Sequence, residues 1–145
     1  MLRRRIPGPV EVVFAACVEL LRTPDPARGV VARRVEPDPP VAGALVHTTV
    51  RDRRGERALR AEVVACAPPV ELATVTEGVP AVRTTLRCAA DGPGHTVVTL
   101  TTAAEAALGG FGRGGRVLDL LVFGRAQRRA ARSTLRRVEE LASRR

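Results

Sequence analysis

Ala130-Ala131-Arg132-Ser133-Thr134-Leu135-Arg136-Arg137-Val138-Glu139-Glu140-Leu141-Ala142 is the stretch whose reading decides the fold. Turned at about 100° per residue, Ala130, Ala131, Thr134, Leu135, Val138, Leu141 and Ala142 share one side of a helix, and Arg125, Arg129, Arg132 and Arg136 lie opposite. Such a stripe has to lie on a second apolar surface. Extended towards the N-terminus, the pattern predicts one helix over 116–142, about 40 Å long at 1.5 Å per residue, enough to cross a whole sheet. The first half of that helix is different, because Val117, Leu118, Leu120, Leu121, Val122 and Phe123 surround the axis with only Asp119 among them. It is suited to a pocket wall or to a homodimer contact. Before it comes Leu108-Gly109-Gly110-Phe111-Gly112-Arg113-Gly114-Gly115, where five glycines in seven positions predict neither helix nor strand but a hinged connection.

The surface under the helix is read from residues 30–102. Short β-rich segments near 30–36, 43–51, 57–67, 70–77, 81–89 and 95–102 are separated by proline, glycine and charged turns, the pattern of an antiparallel meander. Asp52-Arg53-Arg54-Gly55 and Asp91-Gly92-Pro93-Gly94 carry the residues that tight reversals need. Period-two alternation places Leu59, Ala61, Val63 and Ala65 on one face, with Arg60 and Glu62 on the other. Likewise Val82, Thr84, Leu86 and Cys88 oppose Arg83, Thr85 and Arg87. One face is therefore apolar and the other solvated. Ahead of the meander, Leu2 to Ile6 reads as a first strand, which Pro7-Gly8-Pro9 ends. Val10, Val13, Phe14, Cys17 and Leu21 then mark a helix to about Leu21, and a further short turn precedes Gly29.

The 145 residues match one domain, 1–145, of α+β class: a curved antiparallel sheet of six to seven strands wrapped on a long C-terminal helix. No apolar run approaches the roughly 20 residues of a membrane span, and MLRRRIPGPV lacks the apolar stretch of a signal peptide, so a cytoplasmic location is expected. Cys17, Cys66 and Cys88 are far apart, without CxxC or Cys/His spacing, and His47 and His95 are isolated. Buried, inert thiols and no metal follow. The net charge is +9, carried entirely by arginine, since the chain has no lysine. The absence of lysine beside abundant alanine, glycine and valine is the imprint of a GC-rich coding composition. No stacking aromatics interleave the basic residues, so a nucleic-acid partner is not expected. No P-loop, dinucleotide fingerprint or serine/histidine/aspartate set is present, and no cofactor is expected.

Four local marks fall in a recognisable order: Ile6-Pro7-Gly8-Pro9-Val10-Glu11-Val12-Val13-Phe14, Glu62-Val63 followed by Pro68-Pro69, Asp91-Gly92-Pro93-Gly94-His95-Thr96, and Leu135-Arg136-Arg137-Val138-Glu139. With strand, helix, break, meander, glycine-rich loop and long last helix, this order resembles the START-like superfamily over nearly the whole chain. That group is also called SRPBCC or birch-pollen-allergen-like, and the resemblance is to a member of polyketide cyclase/dehydrase type. It implies a helix-grip fold whose cavity between sheet and last helix binds a small apolar ligand such as a lipid or polyketide. The alternative it implies is a cyclase, aromatase or dehydratase acting in the same cavity. Members that cyclise aromatic rings often line their pockets with tyrosine or another ionisable group beside an arginine, whereas this chain has neither tyrosine nor tryptophan. No catalytic residue is carried over.

The expected ligand-binding residues are Thr48, Thr74, Thr84 and Leu86 on the sheet, Leu108 and Phe111 at the glycine hinge, and Leu118, Leu121 and Val122 on the apolar half-helix. Thr102 is a further hydroxyl of the same kind. His47, out of phase with Val46 and Val50, is read as pointing outward, and His95 as part of a turn. Glu77, beside Gly78, is read as a cavity-rim residue, and Arg83 and Arg87 as facing solvent.

Overall fold

The computed structural model describes residues 1–78, 80–104 and 113–145, and within 113–127 the backbone alone. The chain begins with β1 (Leu2–Pro7) and α1 (Val10–Glu19), passes through 3-10 turns at Leu20–Arg22 and Pro26–Arg28, and then runs through six strands. These are β2 (Val30–Glu36), β3 (Leu45–Asp52), β4 (Gly55–Ala67), β5 (Glu71–Thr76), β6 (Val82–Ala90) and β7 (His95–Ala104), followed by α2 (Arg113–Ser143). All seven strands form one antiparallel sheet in the order β1-β7-β6-β5-β4-β3-β2. The strands consecutive in sequence at its start, β1 and β2, are its opposite edges. The segment between them therefore has to cross the inner face: α1 packs on β5, β6 and β7, and the turn at Leu20–Arg22 reaches β2.

Entry into α1 is secured by backbone rather than by a capping side chain. The amides of Val12 and Val13 both donate to the carbonyl of Pro9 at 3.1 Å. Gly8 N donates to Gly94 O at 2.8 Å, and Thr96 Oγ1 donates to Gly8 O at 2.9 Å. Thr96 is fully buried, so this bond satisfies a hydroxyl that would otherwise carry a desolvation penalty of about 1–3 kcal/mol. Two of the four local marks are thus tied together across 88 residues. Gly92, at φ 76°, makes the reversal before β7. Pairing then starts at once, so His95 is not a turn residue as expected: it opens β7 opposite Pro7.

The register sets which side chains share the inner face, because directly paired residues of antiparallel strands point to the same side. One ladder runs Leu2, Leu100, Leu86, Leu72, Cys66 across β1, β7, β6, β5 and β4. A bulge between Val63 and Ala65 changes the phase of β4: Val63 pairs with Thr74, but Ala65 pairs with Ala73 and Cys66 with Leu72. The expected alternation therefore holds through Leu59, Ala61 and Val63 and fails at Ala65. One extra residue moves everything after it to the other face, and Cys66 packs against the core instead.

α2 covers this face. Ala131, Leu135, Val138, Leu141 and Ala142 are buried, while Arg129, Arg132 and Arg136 are exposed, as the stripe requires. Val13, Phe14, Ala16 and Cys17 of α1 join the same core with Ile6, Val46, Val63, Leu72, Leu86, Val98 and Leu100. Arg4 of β1 pairs with Glu139 of α2; being partly exposed, the pair sets helix register more than it adds stability, about 0–1 kcal/mol. The helix begins at Arg113, not 116, and takes in Gly114 and Gly115, against the expectation that residues 109–115 avoid helix. Once a helix is nucleated, each added residue gains a hydrogen bond, which can offset the roughly 1 kcal/mol per glycine in a long helix.

Cys17 and Cys88, unrelated by spacing, bring their sulfurs to 3.9 Å in the interior as free thiols. The hydrogen bond to Cys88, and then burial, push the Cys17 thiol above the ordinary range. The hydrogen bond with Cys17 lowers Cys88, against the opposing effect of burial. Cys66 is half-buried, donates to Pro40 O at 3.5 Å and is raised by burial.

Two outcomes are expected from this packing. Leu135→Ala lowers unfolding free energy in urea by about 2–5 kcal/mol, whereas Arg136→Ala changes it by no more than about 0.5 kcal/mol. Under native conditions iodoacetamide labels Cys66 first by mass spectrometry, with Cys17 and Cys88 labelled only as the protein unfolds; equal rates for all three would contradict the described core.

Candidate ligand pocket

The stripe on α2 does not fill the whole inner face. Between the sheet, the end of α1 and the middle of α2 lies a hollow of about 470 Å³. Its floor comes from Leu59 of β4, Leu72, Thr74 and Thr76 of β5, Val82, Thr84 and Leu86 of β6, and Leu100 and Thr102 of β7. Thr74, Thr84 and Thr102 are directly paired in register, so three hydroxyls stand side by side across β5, β6 and β7. One wall is Cys17, Leu20, Leu21 and Thr23; the roof is Ala130, Ala131, Thr134 and Arg137 of α2. The hollow exists because its side chains are small. Alanine and threonine, where α2 and the central strands face each other, leave a gap that larger aliphatics would close.

Of the expected ligand-binding residues, Thr74, Thr84 and Leu86 are brought together on this floor. Thr102 joins them, and Glu77 is on the rim as expected, its carboxylate receiving Arg60 Nε at 2.8 Å. Thr48 is not on the wall. It lies on the inner face, paired with Arg33 and Leu59, but its hydroxyl accepts Arg33 Nε at 3.3 Å and so stands behind the arginine. Leu108 and Phe111 fall outside the described residues, as do the side chains of Leu118, Leu121 and Val122. His47 pairs with Arg34 and Arg60, both exposed, on the outer face. Arg87 is likewise exposed, 3.4 Å from Glu71, and Arg83 is exposed beside it on the same face.

The residues missed from sequence are at the β2 end of the hollow. Arg33, Arg28 and Asp25 line it with Thr23 and Val30. Arg33 is half-buried and donates from Nη1 to Leu20 O at 2.6 Å and from Nε to Thr48 Oγ1. Burial, then the neighbouring charge of Arg28, hold its guanidinium below the ordinary arginine range, with Asp25 acting in the opposite direction. Its position was available as a signal: Arg33 precedes the buried Val35 by two residues, which puts both on one face of β2. An arginine in phase with a core valine is unusual enough to mark an inward-facing charge. Gly29 shapes the entry to β2, since at φ 76° a Cβ there would meet Arg51 O at 2.7 Å.

The arrangement joins an apolar floor and roof, a row of hydroxyls and a guanidinium at one end. It can enclose a molecule of modest size and orient its polar part.

Neither a protein-family model nor a curated protein matches the sequence. Solved structures do match in shape. An uncharacterized protein from Rhizobium leguminosarum is 18% identical with a TM-score of 0.62, over 99% of this chain and 93% of that one. Ara h 8.0201 is 8% identical with a TM-score of 0.65, over 99% and 97%. The di-domain ARO/CYC StfQ of the steffimycin biosynthetic pathway is 18% identical with a TM-score of 0.65, over 99% of this chain and 50% of that one. At these identities the likeness is one of architecture: the chain has the helix-grip fold of the START-like, birch-pollen-allergen-like proteins, the fold that Ara h 8.0201 and the ARO/CYC protein StfQ also have.

Proposed function

We propose that this protein binds a small, mainly apolar ligand between its sheet and α2, in the hollow floored by Leu72, Thr74, Thr84, Leu86, Leu100 and Thr102. The observation that carries the reading is that hollow. Its volume of about 470 Å³ lies within the roughly 300–1,000 Å³ of small-molecule sites. The ligand's apolar body rests on the leucines and alanines, and the threonine row supplies hydrogen bonds that fix its orientation.

Mass spectrometry of material extracted from the native protein is the direct test: a stoichiometric apolar small molecule supports the reading, and its consistent absence together with no stabilisation by any lipid or polyketide-like compound opposes it. At a free concentration about 100-fold above Kd, a ligand adds about 2.7 kcal/mol of stability, which raises Tm by roughly 5–10 °C. Thr84→Phe, in the middle of the threonine row, is expected to weaken binding by more than about tenfold by filling the space while leaving the fold intact.

A second reading is favoured by the ionisable groups on the wall, Asp25, Arg33 and Glu77. In it the pocket holds a polyketide-like chain folded and promotes its cyclisation or dehydration. Conversion of a poly-β-keto thioester surrogate to a cyclised product, reduced in Arg33→Gln, is the outcome that distinguishes this from binding alone; recovery of the surrogate at the uncatalysed rate opposes it.

A further inference from the structure

The pocket is not evenly apolar. Among the described residues its charged wall groups are Arg28, Arg33, Arg137, Asp25 and Glu77, and they are not equally engaged. Glu77 receives Arg60 from the outer face, and Arg137 pairs with Glu140 and donates to Pro24 O at 3.4 Å, its buried Nε alone lacking a partner among the described residues. This leaves Arg28 and Arg33 against Asp25 at the β2 end. Among the described residues Arg28 reaches only a hydroxyl, Thr134 Oγ1 at 3.5 Å. Arg33 is bound by a carbonyl and a hydroxyl, and no carboxylate among the described residues comes within ion-pair distance of it. Its Nη2 makes no hydrogen bond to a described residue. A guanidinium drawn into a half-buried wall without an anionic partner is electrostatically incomplete, because hydroxyl and carbonyl dipoles replace only part of its hydration.

From this arrangement we infer that the ligand is an amphiphile with an anionic carboxylate head, which Arg33 receives at the β2 end while the chain lies along the floor towards Leu86 and Leu100. The inference rests on the binding reading above and specifies its ligand class. A carboxylate matches the planar, forked donors of a guanidinium, and such charge-assisted pairs are stronger than neutral hydrogen bonds. Thr48 is a positioning residue here. Its hydroxyl holds Nε, as the Leu20 carbonyl holds Nη1, so the guanidinium is fixed with Nη2 left over. Arg28, exposed at the mouth and beside Thr134 of α2, adds positive potential where an anion enters. The lowered basicity of Arg33, caused by burial and by the charge of Arg28, agrees with this.

Calorimetric titration with decanoate and with 1-decanol, each below its aggregation or solubility limit, separates the head group from the chain. Decanoate is expected to bind at least about tenfold more tightly than decanol, and the two compete for one site. Arg33→Gln is expected to remove that preference, and Arg33→Lys to retain part of it. Thermal melts of the unliganded variants identify any that fail to fold, and Thr48→Val gives an independent variant, expected to reduce the preference without removing the charge. Equal affinity for the two probes, or a preference that persists in folded Arg33→Gln, overturns the inference and leaves the pocket reading standing. Binding of neither probe overturns both.

Discussion

The interaction on which everything else depends is the burial of one stripe of α2, Ala131, Leu135, Val138, Leu141 and Ala142, on the inner face of the sheet. A seven-stranded sheet presents one face too wide for the ten residues of α1 to cover. The C-terminal part of α2 closes it at the end where Ile6, Val13, Cys17, Val98 and Leu135 are all buried. Once that end is closed, the helix axis is committed to pass over the central strands. What its preceding residues meet is decided by side-chain size: Ala130, Ala131 and Thr134 above, and the threonine row below, do not fill the distance. The pocket is a consequence of closure at one end and small residues at the other.

The second constraint is topological. With β1 and β2 at opposite edges, the connection through α1 and two 3-10 turns has to traverse the inner face and arrive beside β2. That arrival brings Leu20, Thr23, Asp25 and Arg28 to the pocket wall, and it supplies the Leu20 carbonyl that Arg33 binds. A half-buried guanidinium is stabilised where its donors find partners, as Nε and Nη1 of Arg33 do. The same crossing that covers the sheet therefore also makes the polar end of the pocket.

The strand phases show where sequence reading is strong and where it stops. β6 alternates cleanly, and Thr84 and Leu86 are on the pocket floor as its pattern indicates. In β4 the same reasoning holds up to Val63 and fails at Ala65, because a bulge leaves no mark in a run of small apolar residues. Thr48 illustrates a different limit. Its face is correctly inferred, yet whether it touches a ligand depends on a neighbour on another strand, and Arg33 stands in front of it. His95, beside a glycine turn, opens β7 because the start of pairing is set by the partner strand β1.

The sequence by itself determined the order of the elements and many of their exposed and buried sides: the period of 3.6 in the C-terminal part of α2, the period of two in β6 and in β4 up to Val63, and the turn residues between strands. These are local properties, set by helical and strand geometry within a few residues of each position. Only the tertiary structure decided which side chains from distant segments meet. Cys17 meets Cys88, Thr96 meets Gly8, Arg4 meets Glu139, and Arg33 turns into a wall shared with residues of α1, β5, β6 and α2. Those meetings follow from strand order and register, which are set by the packing of the whole inner face under α2 rather than by any neighbourhood of the chain.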